Sequence, residues 1–531
     1  MNTKINEFEV MAPVGSRESL AAAIQAGADS VYFGIGKLNM RSHSANHFTI
    51  DDLREIAATC NEHGIKTYLT VNTVIYDNDI PTMKEIIDAA KEAGISAVIA
   101  SDVAVMSYCN EVGEEVHLST QLNISNTEAL KFYARFADVS VLARELNMDQ
   151  VKHIHEQIEQ QNICGPMGKQ IRIEMFCHGA LCMAVSGKCY MSLANANRSA
   201  NRGECVQICR RSYTVTDNET GNQLEIDNKY VMSPKDLKTI RFIDRMMDAG
   251  VRVFKIEGRA RGPEYVYTVV KCYKEAIASV LDGTFTEEKK DAWDERLATV
   301  FNRGFWDGYY QGQTLGEWNK HYGSVATEKK VLVGKVMKYF SKLGVAEVAV
   351  EASTFDKGEK LLITGNTTGV MYLNADEIRY DLKPVETAQQ GWRVSIPVPD
   401  KVRPNDKLYK LITVNEIKEE NGDGFWFRLE IHEENKAAGA LETVWEQDGT
   451  KIAKAYETAY EAVLSLKESK SADAPEVKIT TPLTNTEVTE GGKLTLKIGI
   501  NEKKDTEKNP EEKTEDKTEE KAENKTKTCS S

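Results

Sequence analysis

Between Glu9 and Glu257 the chain repeats one unit: an amphipathic helix, a glycine that stops it, then a short β-rich run. The stops are Gly27, Gly64, Gly94, Gly113 and Gly250, placed where a residue free to take positive φ ends a helix. Eight strand candidates keep step with them: Glu9 to Pro13, Ser30 to Gly34, Lys66 to Asn72, Ala97 to Ser101, Val116 to Thr120, Val139 to Ala143, Ile171 to Cys177 and Val251 to Glu257. Runs such as AVIA and VSVLA are apolar throughout, as in parallel strands buried on both faces. Eight alternations at about 30 residues each fit a closed (β/α)8 TIM-like barrel better than an open doubly wound sheet. No GxGxxG follows the first strand, which argues against a dinucleotide fold.

One loop breaks the rhythm. About fifty residues separate the seventh strand from a helix expected near Pro234, where a loop of two to six is usual, so the insertion at 177–233 is expected to be functional. The barrel with this insertion is assigned to 1–300 and a connector containing FNRGFWDGYYQG to 301–327. Short alternating runs (VLVGKVMKYF, VAEVAVEA, KLLITG, WRVSIPVP, DKLYKLI) predict a small β-barrel over 328–415, followed by an extension at 416–468. The stretch 469–531, almost wholly Lys, Glu, Asp, Thr and Asn from Asn501 onward, is expected to be a mostly disordered charged tail.

At 531 residues the chain exceeds one ordinary core, and its 41% hydrophobic and 28% charged content is that of a globular protein. No apolar run nears the roughly 20 residues that cross a bilayer, and MNTKINEFEVMAP lacks the pattern of a signal peptide, so a cytoplasmic protein without membrane partners is expected. A net charge of -14 excludes a surface that grips nucleic acid everywhere, while leaving room for a local basic patch. Ten cysteines in a reducing compartment point to metal or catalysis rather than to disulfides.

Four of the ten lie in the insertion. Cys182 and Cys189 are seven apart, Cys205 follows sixteen later and Cys209 four beyond that. Thiolates are soft anionic donors; four of them complete a tetrahedral zinc or hold one corner each of an iron-sulfur cubane. Glycine-rich polar flanks (SGK, ANRSANRGE) argue against four unlinked buried thiols. Structural zinc usually has two tight CxxC-like knuckles, and only Cys205 and Cys209 come close, so a cluster is favoured with zinc as the alternative. If Cys209 is not a ligand, one iron of a cluster is left open for chemistry.

The segment EMFCHGALCMAVSGKCYMS resembles the signature of a collagenase-like family of peptidases of unassigned catalytic type, with NRGECVQICRR, VMSPKDL and FKIEGRARGPEYV as supporting matches. The likeness spans about Met11 to Gln313 and, more loosely, the β-rich region after it. Cys177 stands where relatives usually carry Val, leaving the four candidate ligands intact. The family includes proteins for 5-hydroxyuridine formation in transfer RNA, for cytidine hydroxylation in ribosomal RNA and for oxygen-independent ubiquinone hydroxylation. The resemblance therefore implies a barrel with a 4Fe-4S cluster and an oxygen-independent hydroxylation, with prephenate as the hydroxyl source in the RNA branch, and this chain looks most like the tRNA branch.

Active sites of such barrels form at the C-terminal ends of the strands. By that rule the candidates are Asn72, Asp102, Thr120, Gln121, Asn123, Arg144, Glu145, Glu174, His178, Lys255, Glu257 and Arg259. Glu174, His178, Arg144 and Glu257 are assigned catalytic roles; Lys255, Arg259, Gln121, Asn123, Arg198 and Arg202 are assigned to substrate. Alternation points Lys255, Glu257 and Arg259 the same way, either to grip an anionic co-substrate or as a structural ion-pair row. Arg144 and Glu145 should face opposite ways, so one of them points inward. His178 is either a proton donor or an orienting group. Arg198, Arg202, Arg210 and Arg211 offer a patch for tRNA phosphates unless they are merely solvated, and Tyr190 and Tyr213 could stack a base.

The leading expectation is tRNA uridine hydroxylation. A peptidase is the runner-up, although neither HExxH nor GxSxG is present. Hydroxylation of a small molecule such as a quinone precursor and a non-catalytic cluster-bearing scaffold complete the alternatives.

Overall fold

A computed structural model of the chain describes residues 7–42, 48–211, 213, 232–320 and 323–414, together with the strands 215–216, 223–224, 428–433, 439–446, 476–479 and 493–501. Residues 1–414 form one compact unit and 415–531 another.

The helix and strand signals are realised locally. Helix α2 (Ile50–Glu62), which follows α1 (Arg17–Gln25), starts at Thr49 with a reciprocal cap: Asp52 N donates to Thr49 Oγ1 at 3.2 Å and Thr49 N to Asp52 Oδ2 at 2.8 Å. Such a cap contributes about 1 kcal/mol. Leu53, Ile56, Ala57 and Cys60 recur at helical spacing on its buried face. Cys60 is therefore a core thiol, pushed up to about 12 by burial, as are Cys109 and Cys272 on later helices. Helices α3 (Ile80–Ala93) and α4 (Val103–Val112) end at Gly94 and Gly113, both left-handed, as the glycine stops predict.

The strands are β1 (Glu9–Pro13), β2 (Ser30–Phe33), β3 (Lys66–Val71), β4 (Ala97–Ala100), β5 (Val116–Leu118), β6 (Val139–Val141), β7 (Arg172–Gly179), β8 (Asp236–Lys238) and β9 (Val251–Ile256). Parallel pairing runs from β1 to β7, and β9 pairs in parallel with both β7 and β1, which closes an eight-stranded barrel. Each of the eight expected strands is present, with ends within two residues of the expectation.

After β7 the structure departs from the expected helix near Pro234. A short strand, β8, folds back antiparallel on the end of β7, pairing Leu237 with Gly179 and Lys238 with His178. The helix follows only at Ile243–Asp248. Strand β10 (Phe305–Trp306), from the connector, then adds to β8. Backbone hydrogen-bonding groups of the β7 extension are thereby paired above the barrel rim.

The β-rich region is an eight-stranded antiparallel sheet, and strands distant in the ladder share one core that includes Val333, Val348, Leu361, Ile378, Val394 and Leu408. A sheet whose separate strands meet in one core must curl. It is fastened to the barrel by Gln25 of α1, which donates to Val370 O at 2.8 Å and accepts from Val370 N at 3.0 Å. The second unit holds one four-stranded antiparallel sheet, whose strands Glu476–Ile479 and Lys493–Asn501 fall inside the stretch predicted as tail. Residues 502–531, including Cys529, lie outside the described residues.

Gly15, after β1, is packed so closely that a Cβ there would stand 1.7 Å from Arg259 O. Gly15→Ala is expected to displace the loop carrying Arg259 and to cost about 1–3 kcal/mol, measured as a lower urea midpoint.

Candidate functional site

The barrel strands bury a chain of polar side chains beside the apolar cluster of Met11, Ala97, Ile99, Val139 and Val253. Tyr68 of β3 donates to Glu9 Oε1 at 2.6 Å, and its ring lies 4.4 Å from that of His117 on β5. His117 Nε2 meets Glu115 Oε1 at 3.2 Å, while its Nδ1 stands 3.7 Å from Glu174 Oε2. The longer separation leaves both atoms without a hydrogen bond, so that attraction is coulombic. Glu174 Oε1 accepts from Lys255 Nζ at 2.7 Å, and both side chains are buried. Burial raises the pKa of Glu174, but Lys255 and His117 outweigh it and hold the carboxyl below the usual range. Burial likewise works against a charged His117, and Glu115 and Glu174 overcome it, raising its pKa.

Nearer the mouth, Tyr32 organises the row expected from alternation. Lys255 Nζ lies 4.7 Å and the Arg259 guanidinium 5.8 Å from its ring centre, and its hydroxyl contacts Ile256 O at 2.9 Å and Glu257 Oε2 at 3.3 Å. Lys255, Glu257 and Arg259 thus do meet on one side. Glu257 pairs with Arg41 at 2.8 Å; burial raises its pKa, but Arg41, Arg259 and Arg144 together lower it. Arg259 donates to Asn39 Oδ1 at 3.1 Å and to Thr70 Oγ1 at 2.9 Å.

The cysteine insertion lies across this mouth. Arg144 donates to Ser186 Oγ at 2.8 Å and stacks 5.4 Å from the Phe176 ring centre, whereas Glu145 is exposed, so Arg144 is the inward member of that pair. Asn123, left-handed at φ 53°, donates to Ser186 O at 3.0 Å, and its own Oδ1 is buried without a partner. Gln121 is clamped to Asn72, donating to its carbonyl at 2.6 Å and accepting from its amide at 3.1 Å. Thr120 reaches Ser186 Oγ at 3.4 Å. Asp102 is a structural residue, capping α4 through Ala104 N at 2.9 Å and holding Ile75 N at 3.0 Å.

Cys182 is exposed and Cys189, Cys205 and Cys209 are half-buried. Burial raises the pKa of the Cys209 thiol; Arg210 opposes that, while Cys182, Cys205 and Cys189 add to it, so those three sulfurs lie within electrostatic reach of Cys209. Cys205 also acts on Arg41, which links the thiol group to the Arg41–Glu257 pair. Soft thiols gathered from one loop fit a cluster as a donor set. Among the described residues, no three His, Cys, Asp or Glu groups converge to share a single metal ion.

Two expectations need correction. His178 was expected at the barrel mouth as a proton donor or an orienting group, but β7 carries a bulge: Phe176 pairs with Lys255 and His178 with Ile256, leaving Cys177 as the extra residue. The bulge puts the alternation out of step. His178 therefore sits in an aromatic box of Tyr265, Tyr273 and Phe305, with centroids 5.5–5.9 Å away, and its Nδ1 is 3.4 Å from the Tyr273 hydroxyl. Burial, aided by Lys238, pushes it down to about 3, so near neutrality it is a neutral imidazole and not an imidazolium acid. Arg202 is not open to substrate either. It binds Asp79 at 2.6 and 3.2 Å and Val74 O at 2.6 Å, and stacks on Tyr76 at 4.3 Å. Arg198 is exposed, Tyr190 is 71% exposed, and Tyr213 ties back to Ile208 O at 2.7 Å.

Comparison with known proteins matches residues 15–320 to peptidase family U32. The chain belongs to that family. It is 68% identical to a protein of Porphyromonas gingivalis named collagenase, over 76% of this chain and 98% of that one. It is also similar to a tRNA hydroxylation protein of Bacillus subtilis, at 31% identity over 67% of this chain and 83% of the other. A 23S rRNA 5-hydroxycytidine synthase of Escherichia coli is 33% identical over 53% of this chain and 41% of that enzyme. Relatives of this U32 chain thus carry enzyme names of two kinds, peptidase and RNA hydroxylation.

In this U32 barrel Tyr32, Arg41, Tyr68 and His117 are site residues that no motif marks. Tyr32, Tyr68 and His117 lie in mid-strand with inward parity, which was the available signal; Arg41 sits in a loop that offered none.

The depressed pKa of His178 has a measurable consequence. Its unfolded form takes up a proton below about 6.5 while the folded form resists until about 3, so the histidine subtracts stability progressively as pH falls through that window. His178→Phe is expected to flatten the acid limb of the urea-stability profile relative to wild type by a few kcal/mol at its lower end. Parallel profiles for the two proteins would contradict the buried neutral assignment.

Proposed function

We propose that this chain is an RNA-modifying enzyme that hydroxylates a uridine of tRNA without oxygen, using a 4Fe-4S cluster held by Cys182, Cys189, Cys205 and Cys209. The observation that supports this reading is that the insertion carrying the four thiols reaches the barrel mouth, where its Ser186 meets Arg144 at 2.8 Å and Asn123 at 3.0 Å. When bound, the cluster would supply one-electron chemistry at that mouth.

The chain's own residues then have separable tasks. Lys255, Arg259 and Arg41 surround Glu257 and Glu174 with more cationic groups than carboxylates, which suits a small carboxylate co-substrate of the prephenate kind. Tyr32 keeps its proton, because burial and Glu257 raise its pKa well above the ordinary value, so it acts as a hydrogen-bond donor. Asn123 presents a buried acceptor, Oδ1, suited to a base N–H. The insertion, pinned by Ser186 to Arg144 and Asn123, excludes water from the row beneath.

The name of the 68% identical relative favours a second reading, peptidase activity. One experiment separates the two. Nucleosides of tRNA from a strain lacking the gene are measured by mass spectrometry, with a gelatin-cleavage assay on the anaerobically purified protein. Loss of a hydroxylated uridine with no gelatin cleavage supports the proposal; unchanged nucleosides with cleavage would replace it by the peptidase reading.

A further inference from the structure

A second cationic site lies above the ends of β7 and β9, outside the row just described. Arg261 follows β9, Arg303 precedes β10, and Arg210 comes from the insertion after β7. The Arg261 guanidinium lies 3.5 Å and that of Arg303 5.1 Å from the ring centre of Phe301, so the two meet at one half-buried aromatic ring. Arg303 reaches Asp236 Oδ1 at 3.4 Å, a long contact to a carboxylate that is itself buried. Arg261 makes no ion pair and no side-chain hydrogen bond among the described residues. Arg210 donates to Leu181 O at 2.6 Å and Ser233 Oγ at 3.0 Å; it adds charge to the site rather than free donors.

Cations held together under partial burial repel one another. Burial first, and then Arg303, bring Arg261 down to about 10. Among the described residues Asp236 is the carboxylate that acts on both Arg261 and Arg303, so the positive charges outnumber it. An oxyanion with two free oxygens would relieve that repulsion and occupy the unused donors of Arg261 and Arg303. In barrels of this kind the loops after the seventh and eighth strands are where phosphate is commonly bound. Helix Pro263–Leu281, nineteen residues long, starts two residues beyond Arg261 and adds its positive end, moderated by Glu264, which is paired with Lys330 at 2.8 Å. On the other side Arg210, which adjoins Cys209 in sequence, ties the insertion to Leu181 and Ser233.

We propose that Arg261 and Arg303, over Phe301, bind a backbone phosphodiester of the RNA substrate beside the nucleotide that enters the mouth. This rests on the reading of RNA as substrate. A phosphodiester offers one oxygen to each guanidinium, and Phe301 offers an apolar face to the adjoining ribose.

The test is the salt dependence of binding of unmodified tRNA transcript to the full-length, anaerobically purified protein. Arg261→Gln is the deciding variant, since Arg261 has no carboxylate partner to strand; Arg303→Gln accompanies it, with Arg261→Lys as the charge-preserving control. Each Gln variant is expected to weaken binding about tenfold near physiological salt and to reduce the log–log salt slope by about 1, while Arg261→Lys keeps the slope. Wild-type protein that does not bind tRNA would overturn the RNA reading and this site with it. Wild-type binding that Arg261→Gln leaves unchanged in affinity and slope overturns this site alone. Inorganic phosphate raising the melting temperature of wild type but not of Arg261→Gln, with equal tRNA binding by both, would overturn the RNA assignment in favour of a small-anion site.

Discussion

Lys255→Met is expected to lower the unfolding free energy by about 3–5 kcal/mol near neutral pH, the usual result of leaving a buried charge without its partner. Glu174 is fully buried, among the described residues the one hydrogen bond to its carboxylate is the 2.7 Å contact from Lys255, and the 3.7 Å to His117 is too long to replace it. The pH dependence should change sign with the substitution. In wild type the carboxyl is held below its ordinary 4.5, so its contribution is present above 4.5 and is lost as pH falls through the lowered value. Without Lys255, burial dominates, the folded carboxyl takes a proton more readily than the unfolded one, and the deficit shrinks as the solution is acidified. Adding Glu174→Leu to Lys255→Met should recover most of the loss. Urea midpoints of the two single variants and the double variant, at neutral and mildly acidic pH, measure all of this. Equal midpoints for Lys255→Met and wild type would show that the pair does not hold the lumen.

Cys205→Ala is expected to abolish the visible absorption and bound iron of anaerobically purified protein, and to cut tRNA modification by more than about a hundredfold. Changes one shell further from a metal already cost 10–100-fold. Cys205 is half-buried beside Ser192, at 4.0 Å from its hydroxyl, and acts on Arg41 at the mouth. Cys60→Ala and Cys272→Ala are the controls. Both thiols lie on the buried faces of helices, where burial holds them protonated, so they should lose some stability and no iron. A coloured, iron-loaded Cys205→Ala protein, or a colourless Cys272→Ala protein, would refute the assignment of ligands. Cys209→Ala decides the remaining chemical question: retained iron with lost activity would mark the fourth sulfur as catalytic rather than structural.

Much of the architecture was legible because its signals are local. A buried parallel strand announces itself as an apolar run, and the glycines at 94 and 113 stop helices by adopting φ near 72°, an event that involves only adjacent residues. The insertion was legible as a breach of loop length. The lumen was less so. Glu9 and Tyr68 meet across 59 positions, Lys255 and Glu174 across 81, and Arg41 and Glu257 across 216. No periodicity within one element encodes such meetings.

His178 shows where local reasoning fails even inside a strand. Alternation is exact only while the ladder keeps its register, and one extra residue at Cys177 turned His178 toward Tyr265 and Tyr273. Arg202 failed differently, since its charge was visible but its partner Asp79, 123 positions away, was not.

By itself, then, the sequence determined the eight-fold repeat, the place of the cysteine insertion and the inward parity of Lys255, Glu257 and Arg259, because each depends on spacing along one stretch of chain. The tertiary structure decided which polar groups are partners: Glu174 with Lys255 and His117, Arg41 with Glu257, and Arg261 without an ion pair among the described residues. Those outcomes follow from barrel closure and from register shifts between β7 and β9, which bring distant segments within a few ångströms, the range at which charge and hydrogen bonding act.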